Sequence, residues 1–132
     1  MSKEFLFDHE KLFVYQESLD FVKWVDQILK QCEGRAAVKD QLDRASTSII
    51  LNLAEGNGKF AIRDRCRFLD IACGSAVECA ACLDVLVAKS LLTSDLALEG
   101  KRKLNSILSK LIALKQSVLA RLREEESIYA AE

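Results

Sequence analysis

Apolar positions recur every three to four residues along most of the chain, the spacing of amphipathic helices rather than of strands. Tyr15, Leu19, Val22, Val25 and Leu29 define a first helix over about residues 8–32, with Asp8 as its expected N-cap. Leu42, Ala45, Ile49 and Leu53 define a second, over about 36–55. Phe68, Leu69, Ala72, Ala76, Cys79, Leu83 and Leu86 define a third, over about 61–90. Leu104, Ile107, Leu108, Leu111, Val118 and Leu122 define a fourth, over about 94–126, opening near Thr93, Ser94 or Asp95.

The punctuation fits these four elements. The chain holds no proline and five glycines, so little interrupts a helix. Gly34, Gly56, Gly58 and Gly100 fall where helices are expected to turn or begin, and only Gly74 sits deep inside a periodic segment. The stretch SIILNLAEGNGKF, Ser48 to Phe60, reads as a helix end, with Gly56 at the left-handed position just past it. A phosphate-binding glycine loop would need a preceding strand and a closing Lys-Ser/Thr, and neither is present.

Connections of a few residues make neighbouring helices antiparallel. The expected fold is all-α: a single domain over residues 1–132, built as an up-down-up-down four-helix bundle. At 1.5 Å per residue the third and fourth helices are each roughly 45–50 Å long, so the bundle is elongated.

The third helix carries a second seam: Arg67, Ile71, Gly74, Glu78, Cys82 and Val85, close to a heptad spacing. On the second helix, Leu51 points nearly opposite Leu42 and Ile49. An isolated bundle needs one buried face per helix. The surplus predicts a homo-oligomer, with Leu51, Ile71, Gly74, Cys82 and Val85 as candidate interface residues.

Composition narrows the function. Half of the 132 residues are apolar, 30% are charged and the net charge is −1, the profile of a globular protein and not of a strongly basic nucleic-acid binder. No apolar stretch is expected to span a bilayer, and Met1-Ser2-Lys3-Glu4 lacks a secretion signature. Five cysteines then read as reduced thiols of a cytoplasmic protein. No membrane partner is expected.

Catalytic, cofactor and metal sites are not expected. His9 is the only histidine and reads as a solvated first-turn residue, which excludes a two-histidine di-iron centre. Cys79-x-x-Cys82 lies mid-helix, where neither thioredoxin-like chemistry nor a four-ligand zinc site is set up. Arg44, Ser48, Asn52 and Glu55 fall within one quarter of the second helix, at the edge of the core. They read as a structural polar seam. The competing reading is a cryptic enzyme using Arg44, Asn52, Glu55 and Glu78, which would need a pocket around them. Lys59, Arg63, Arg65 and Arg67 form a basic cluster, interrupted by Asp64, and are the candidate nucleic-acid contacts; Glu124, Glu125 and Glu126 are expected close by and weaken it. Lys101, Arg102 and Lys103 form a second cluster toward the other end.

Two long segments carry a family resemblance. QLDRASTSIILNLAEGNGK, Gln41 to Lys59, resembles the Arg-Ala-x-x-Ser-Ile-x-x-Asn-Ile-Ala-Glu-Gly signature of the four-helix-bundle proteins encoded within intervening sequences of 23S ribosomal RNA genes, with Leu53 in place of the usual isoleucine. RFLDIACGSAVECAACLDVL, Arg67 to Leu86, resembles the family's Phe-Leu-x-x-Ala-x-Gly-Ser-x-x-Glu segment, and LFVYQESLDF, Leu12 to Phe21, its first helix. The resemblance covers about Leu12 to Leu122. It implies an antiparallel bundle and a homopentameric ring. It also places Ser75 and Glu78 with Arg44, Ser48, Asn52 and Glu55 in the polar seam of helix packing and subunit contact. A related branch is the accessory variability determinant of diversity-generating retroelements, which binds a reverse transcriptase and nucleic acid through a basic surface; this chain lacks a broad basic face. The function expected is a non-enzymatic, homo-oligomeric helical scaffold engaging RNA or a nucleic-acid-processing protein. The alternative is a protein–protein interaction module with no nucleic-acid role.

Overall fold

A computed structural model describes residues 4–131. A short 3-10 turn, Asp8–Lys11, leads into α1 (Phe13–Gln31), α2 (Ala37–Asn57), α3 (Ile62–Ala88) and α4 (Ser94–Ala131). No strand occurs among the described residues. α1 lies against α2 and α4, α2 against α3, and α3 against α4, so the four helices surround one core with α1 and α3 on a diagonal.

The start of the first helix departs from expectation. Leu12 is extended (φ −74°, ψ 127°), and α1 begins one residue later. Asp8 does not cap a helix; its carboxylate accepts a 3.0 Å hydrogen bond from Asn57 Nδ2 in the last turn of α2. A tertiary partner has displaced the local cap. The buried face of α1 is Val14, Ser18, Phe21, Val25 and Ile28, one row away from the predicted stripe. Tyr15, Leu19, Val22 and Leu29 flank it, half-buried.

Gly56, expected just past a helix end, lies inside a helix, and Gly100, expected near the start of the fourth helix, lies on its buried face. α2 runs through Gly56, because a Cβ there would come 2.8 Å from Phe68 Cβ on α3. Its absence lets the two helices close together. Gly100 is buried in α4, and a Cβ there would overlap the Trp24 ring and come 2.7 Å from Leu83 Cδ1. After α1 the left-handed conformation falls on Gly34 (φ 79°), as a turn glycine should, and after α3 on Ser90 (φ 61°). Ser90 N donates to Val87 O and Leu91 N to Leu86 O, both at 2.9 Å, which is the Schellman closure of α3. α4 opens on Thr93, whose Oγ1 accepts from Leu96 N at 3.2 Å.

The core is aliphatic. Phe21, Leu42, Ile49, Leu53, Leu83, Leu86, Ile107 and Leu111 are fully buried. By length and composition α3 is apolar enough to cross a membrane, contrary to the expectation that no segment is. Alanines and cysteines supply that hydropathy without a run of large side chains. In this fold one face of α3 is enclosed, with Leu69, Ala72, Ala76, Cys79, Leu83 and Leu86 buried. Cross-helix contacts set the register. Gln41 meets Glu78 and Ser48 meets Ser75 between α2 and α3. Asp84 meets Lys101, Asp70 meets Lys115 and Arg63 meets Glu126 between α3 and α4. At 1.5 Å per residue the 38 residues of α4 extend about 57 Å.

Candidate binding face

The α2–α3 junction brings part of the predicted polar seam together. Ser48 Oγ lies 2.8 Å from Ser75 Oγ. Asn52 Nδ2 donates to Ser48 O at 2.9 Å and to Ser48 Oγ at 3.0 Å. Two turns before Ser48 on α2 and one turn after Ser75 on α3, Gln41 Nε2 donates to Glu78 Oε1 at 2.7 Å. Gln41 was not among the predicted seam residues, yet its heptad spacing from Ser48 puts it on the same helix face. Glu55 does not join the cluster; it faces Lys59 at 3.9 Å, a turn further along. The cryptic set of Arg44, Asn52, Glu55 and Glu78 is therefore not assembled around one point.

Arg44 is exposed and has no ion pair or hydrogen bond among the described residues. It separates two open depressions. One, of about 310 Å³, is lined by Gln41, Arg44, Ala45, Ser48 and Glu78. The other, of about 470 Å³, is lined by Asp43, Arg44, Thr47, Ser48, Leu51 and Asn52. Neither is enclosed.

The apolar seam adjoins this polar strip. Leu51 is 61% exposed, Ile71 42% and Val85 39%. Gly74 is exposed, and nothing lies within 4 Å of where its Cβ would be. Val77, 56% exposed, lies on the other flank of α3, in register with Asp70 and Asp84, which pair with α4. Cys82 is a correction: it is buried in the core with Cys79 and Leu83. Its position on the helix wheel is next to buried Ser75, so it falls under α2 and not on the open side.

Three thiols, Cys73, Cys79 and Cys82, are held toward their neutral form. Burial, then Cys82 and Glu78, pushes Cys79 up to about 12. Burial and then Glu78 raise Cys82; burial and then Asp70, opposed by Lys115, raise Cys73. Metal ligation and nucleophilic attack both need the thiolate.

The basic cluster is largely neutralised. Arg63 pairs with Glu126 at 3.2 Å and Arg67 with Asp64 at 3.6 Å. Lys59 faces Glu55, and both Lys59 and Arg67 sit over the Phe68 ring, at 5.2 and 4.8 Å. Arg65 is half-buried and forms no ion pair among the described residues. In the second cluster, Lys101 pairs with Asp84. His9 is not simply solvated: its ring is half-buried, 5.8 Å from Phe7 and 4.8 Å from Tyr15.

One cluster was not legible beforehand. Glu17 Oε2 on α1 accepts from Ser106 Oγ at 2.8 Å and Lys110 Nζ at 3.1 Å on α4, while Lys110 Nζ also donates to Ser106 Oγ at 2.6 Å. Only Ser106 and Lys110 are related by sequence spacing; the α1–α4 contact supplies Glu17. The Lys110 ammonium is committed to that carboxylate, so the trio fastens α1 to α4.

Comparison with known proteins agrees with this architecture. No curated protein matches the chain. A crystal structure of a protein of unknown function from the S23 ribosomal protein family of Bacteroides thetaiotaomicron is similar, with a TM-score of 0.73 at 23% identity, covering 77% of this chain and 97% of that one. That likeness is one of fold. The family model of the 23S rRNA-intervening sequence protein matches residues 10–113. With the signature segments of α2 and α3 inside that match, the chain belongs to the 23S rRNA-intervening sequence protein family.

Proposed function

We propose that the chain is a non-enzymatic helical scaffold of the cytoplasm: an antiparallel, up-down-up-down bundle that assembles through its α2–α3 face into a homo-oligomeric ring. The register supports the topology, since α3 residues 84, 70 and 63 meet α4 residues 101, 115 and 126 in turn. The single observation that carries the assembly is the α2–α3 face. Exposed Leu51, Ile71 and Val85 there flank an unpaired Arg44 and an open Gly74. An apolar strip with a small residue at its centre suits close helix contact between copies. Five free cysteines fit a reducing compartment.

The scaffold's partners are first other copies of the chain and then a protein, because ion pairing leaves little free positive charge for a phosphate backbone. Nucleic-acid contact is the second reading. It falls on Lys59, Arg63, Arg65 and Arg67, and Arg65 without an ion pair is the observation in its favour. Leu51→Glu tests assembly: it leaves the fold intact, because Leu51 is exposed, and it lowers the sedimenting mass. An unchanged mass overturns the lateral interface. RNA titration at low salt tests the second reading; absence of binding there removes it.

A further inference from the structure

One end of the molecule gathers large apolar side chains left exposed among the described residues. The Asp8–Asn57 hydrogen bond and the Arg63–Glu126 pair place the residues before the 3-10 turn, the α2–α3 turn and the last turns of α4 at this end. Phe60 in that turn is fully exposed, Tyr129 is 83% and Leu6 78% exposed, and Phe7 and Ile128 are also open. α4 runs on for five more residues beyond the Arg63–Glu126 pair, about 7.5 Å past the start of α3.

We propose that this end docks against the same end of a second copy, about a two-fold axis. It is distinct from the lateral α2–α3 face and rests on different residues. Three arguments point to a copy of the chain. First, area: at roughly 150–250 Å² per aromatic side chain, Phe5, Phe7, Phe60 and Tyr129 offer on the order of 600 Å². Leu6 and Ile128 bring this toward the about 800 Å² per partner of a specific interface. Second, charge: the end is self-complementary. Arg63, Arg65 and Arg67 open α3, while Glu124, Glu125 and Glu126 close α4. Arg65, Glu124 and Glu125 have no ion pair among the described residues. A two-fold arrangement sets the α4 tip of one copy over the α3 start of the other and matches those signs. Third, shape: the α4 tip runs past the start of α3 and carries exposed Ile128 and Tyr129 beyond it, where they can reach the exposed Phe60 of a second copy. A polyanion would meet three glutamates here and is disfavoured.

Sedimentation of the full chain tests this with Phe60→Asp/Tyr129→Asp and, separately, a chain ending at Glu126. All the altered side chains are exposed, and circular dichroism confirms retained helix. The expected result is a particle of half the wild-type mass for both variants. Leu51→Glu, in contrast, leaves a particle of two chains. Wild-type mass in both end variants overturns the end-to-end contact without touching the lateral one. If the lateral reading is what fails, the wild type is a pair of chains and the end variants are single chains.

Discussion

Ser48 Oγ and Ser75 Oγ lie 2.8 Å apart across the α2–α3 junction, and Asn52 donates to the same Ser48 hydroxyl. Ser48 is thus the shared partner. Ser48→Ala leaves the buried Ser75 hydroxyl without its partner, while Asn52 keeps its bond to the Ser48 carbonyl, and is expected to cost about 1–3 kcal/mol. Ser75→Ala leaves Ser48 bonded to Asn52 and costs about 1 kcal/mol. In the double variant the two losses are less than additive, as measured by urea unfolding in a double-mutant cycle. Additive losses would show that the hydroxyls act independently.

Three glycines separate close approach from open surface. Glycine in a helix interior costs about 1 kcal/mol relative to alanine. Gly100→Ala forfeits that gain, because the new methyl overlaps Trp24 and Leu83 in the core. Gly56→Ala meets the Phe68 Cβ and the backbone oxygen of Arg65. Both substitutions lower the thermal midpoint. Gly74→Ala raises the stability of the single chain, because nothing stands in its way.

Ser90 closes α3 in a conformation that costs a non-glycine residue roughly 1–2 kcal/mol. Ser90→Gly keeps the two closing hydrogen bonds and removes that cost. Chemical denaturation is expected to show a gain of about 0.5–1 kcal/mol.

Alkaline pH weakens the fold through Cys79. Its thiol is neutral in the folded chain up to about 12, whereas the unfolded thiol ionises near 9. Between those values the folded state holds the proton that the unfolded state has lost. Stability is therefore complete below about pH 9 and falls as pH rises toward 12, with a slope of up to about 1.4 kcal/mol per pH unit. Cys79→Ala flattens that slope, and a thiol reagent at pH 8 modifies native Cys79 far more slowly than the unfolded chain.

The α2, α3 and α4 stripes were legible because large aliphatic residues recur there with few competitors. α1 was not, since Tyr15, Leu19 and Leu29 are as apolar as the Val14–Phe21–Val25 row that the core takes. Periodicity cannot separate two adjacent apolar rows. Gly56 read as a helix end because a sequence shows a missing side chain and not the neighbour that requires it. Ser48 and Asn52 were legible as one face of one helix. Their link to Ser75 depends on the register of α2 against α3, which the family signature implied and spacing alone could not. Cys82 was misplaced by the width of one helix-wheel step.

The central claim is that the α2–α3 face, with Leu51, Ile71, Gly74 and Val85, is covered by another copy. Sedimentation equilibrium of the wild-type chain at micromolar concentration tests it most directly. The account predicts a particle of several times 14.8 kDa, reduced by Leu51→Glu. A single 14.8 kDa particle, or a larger one indifferent to that substitution, would contradict it.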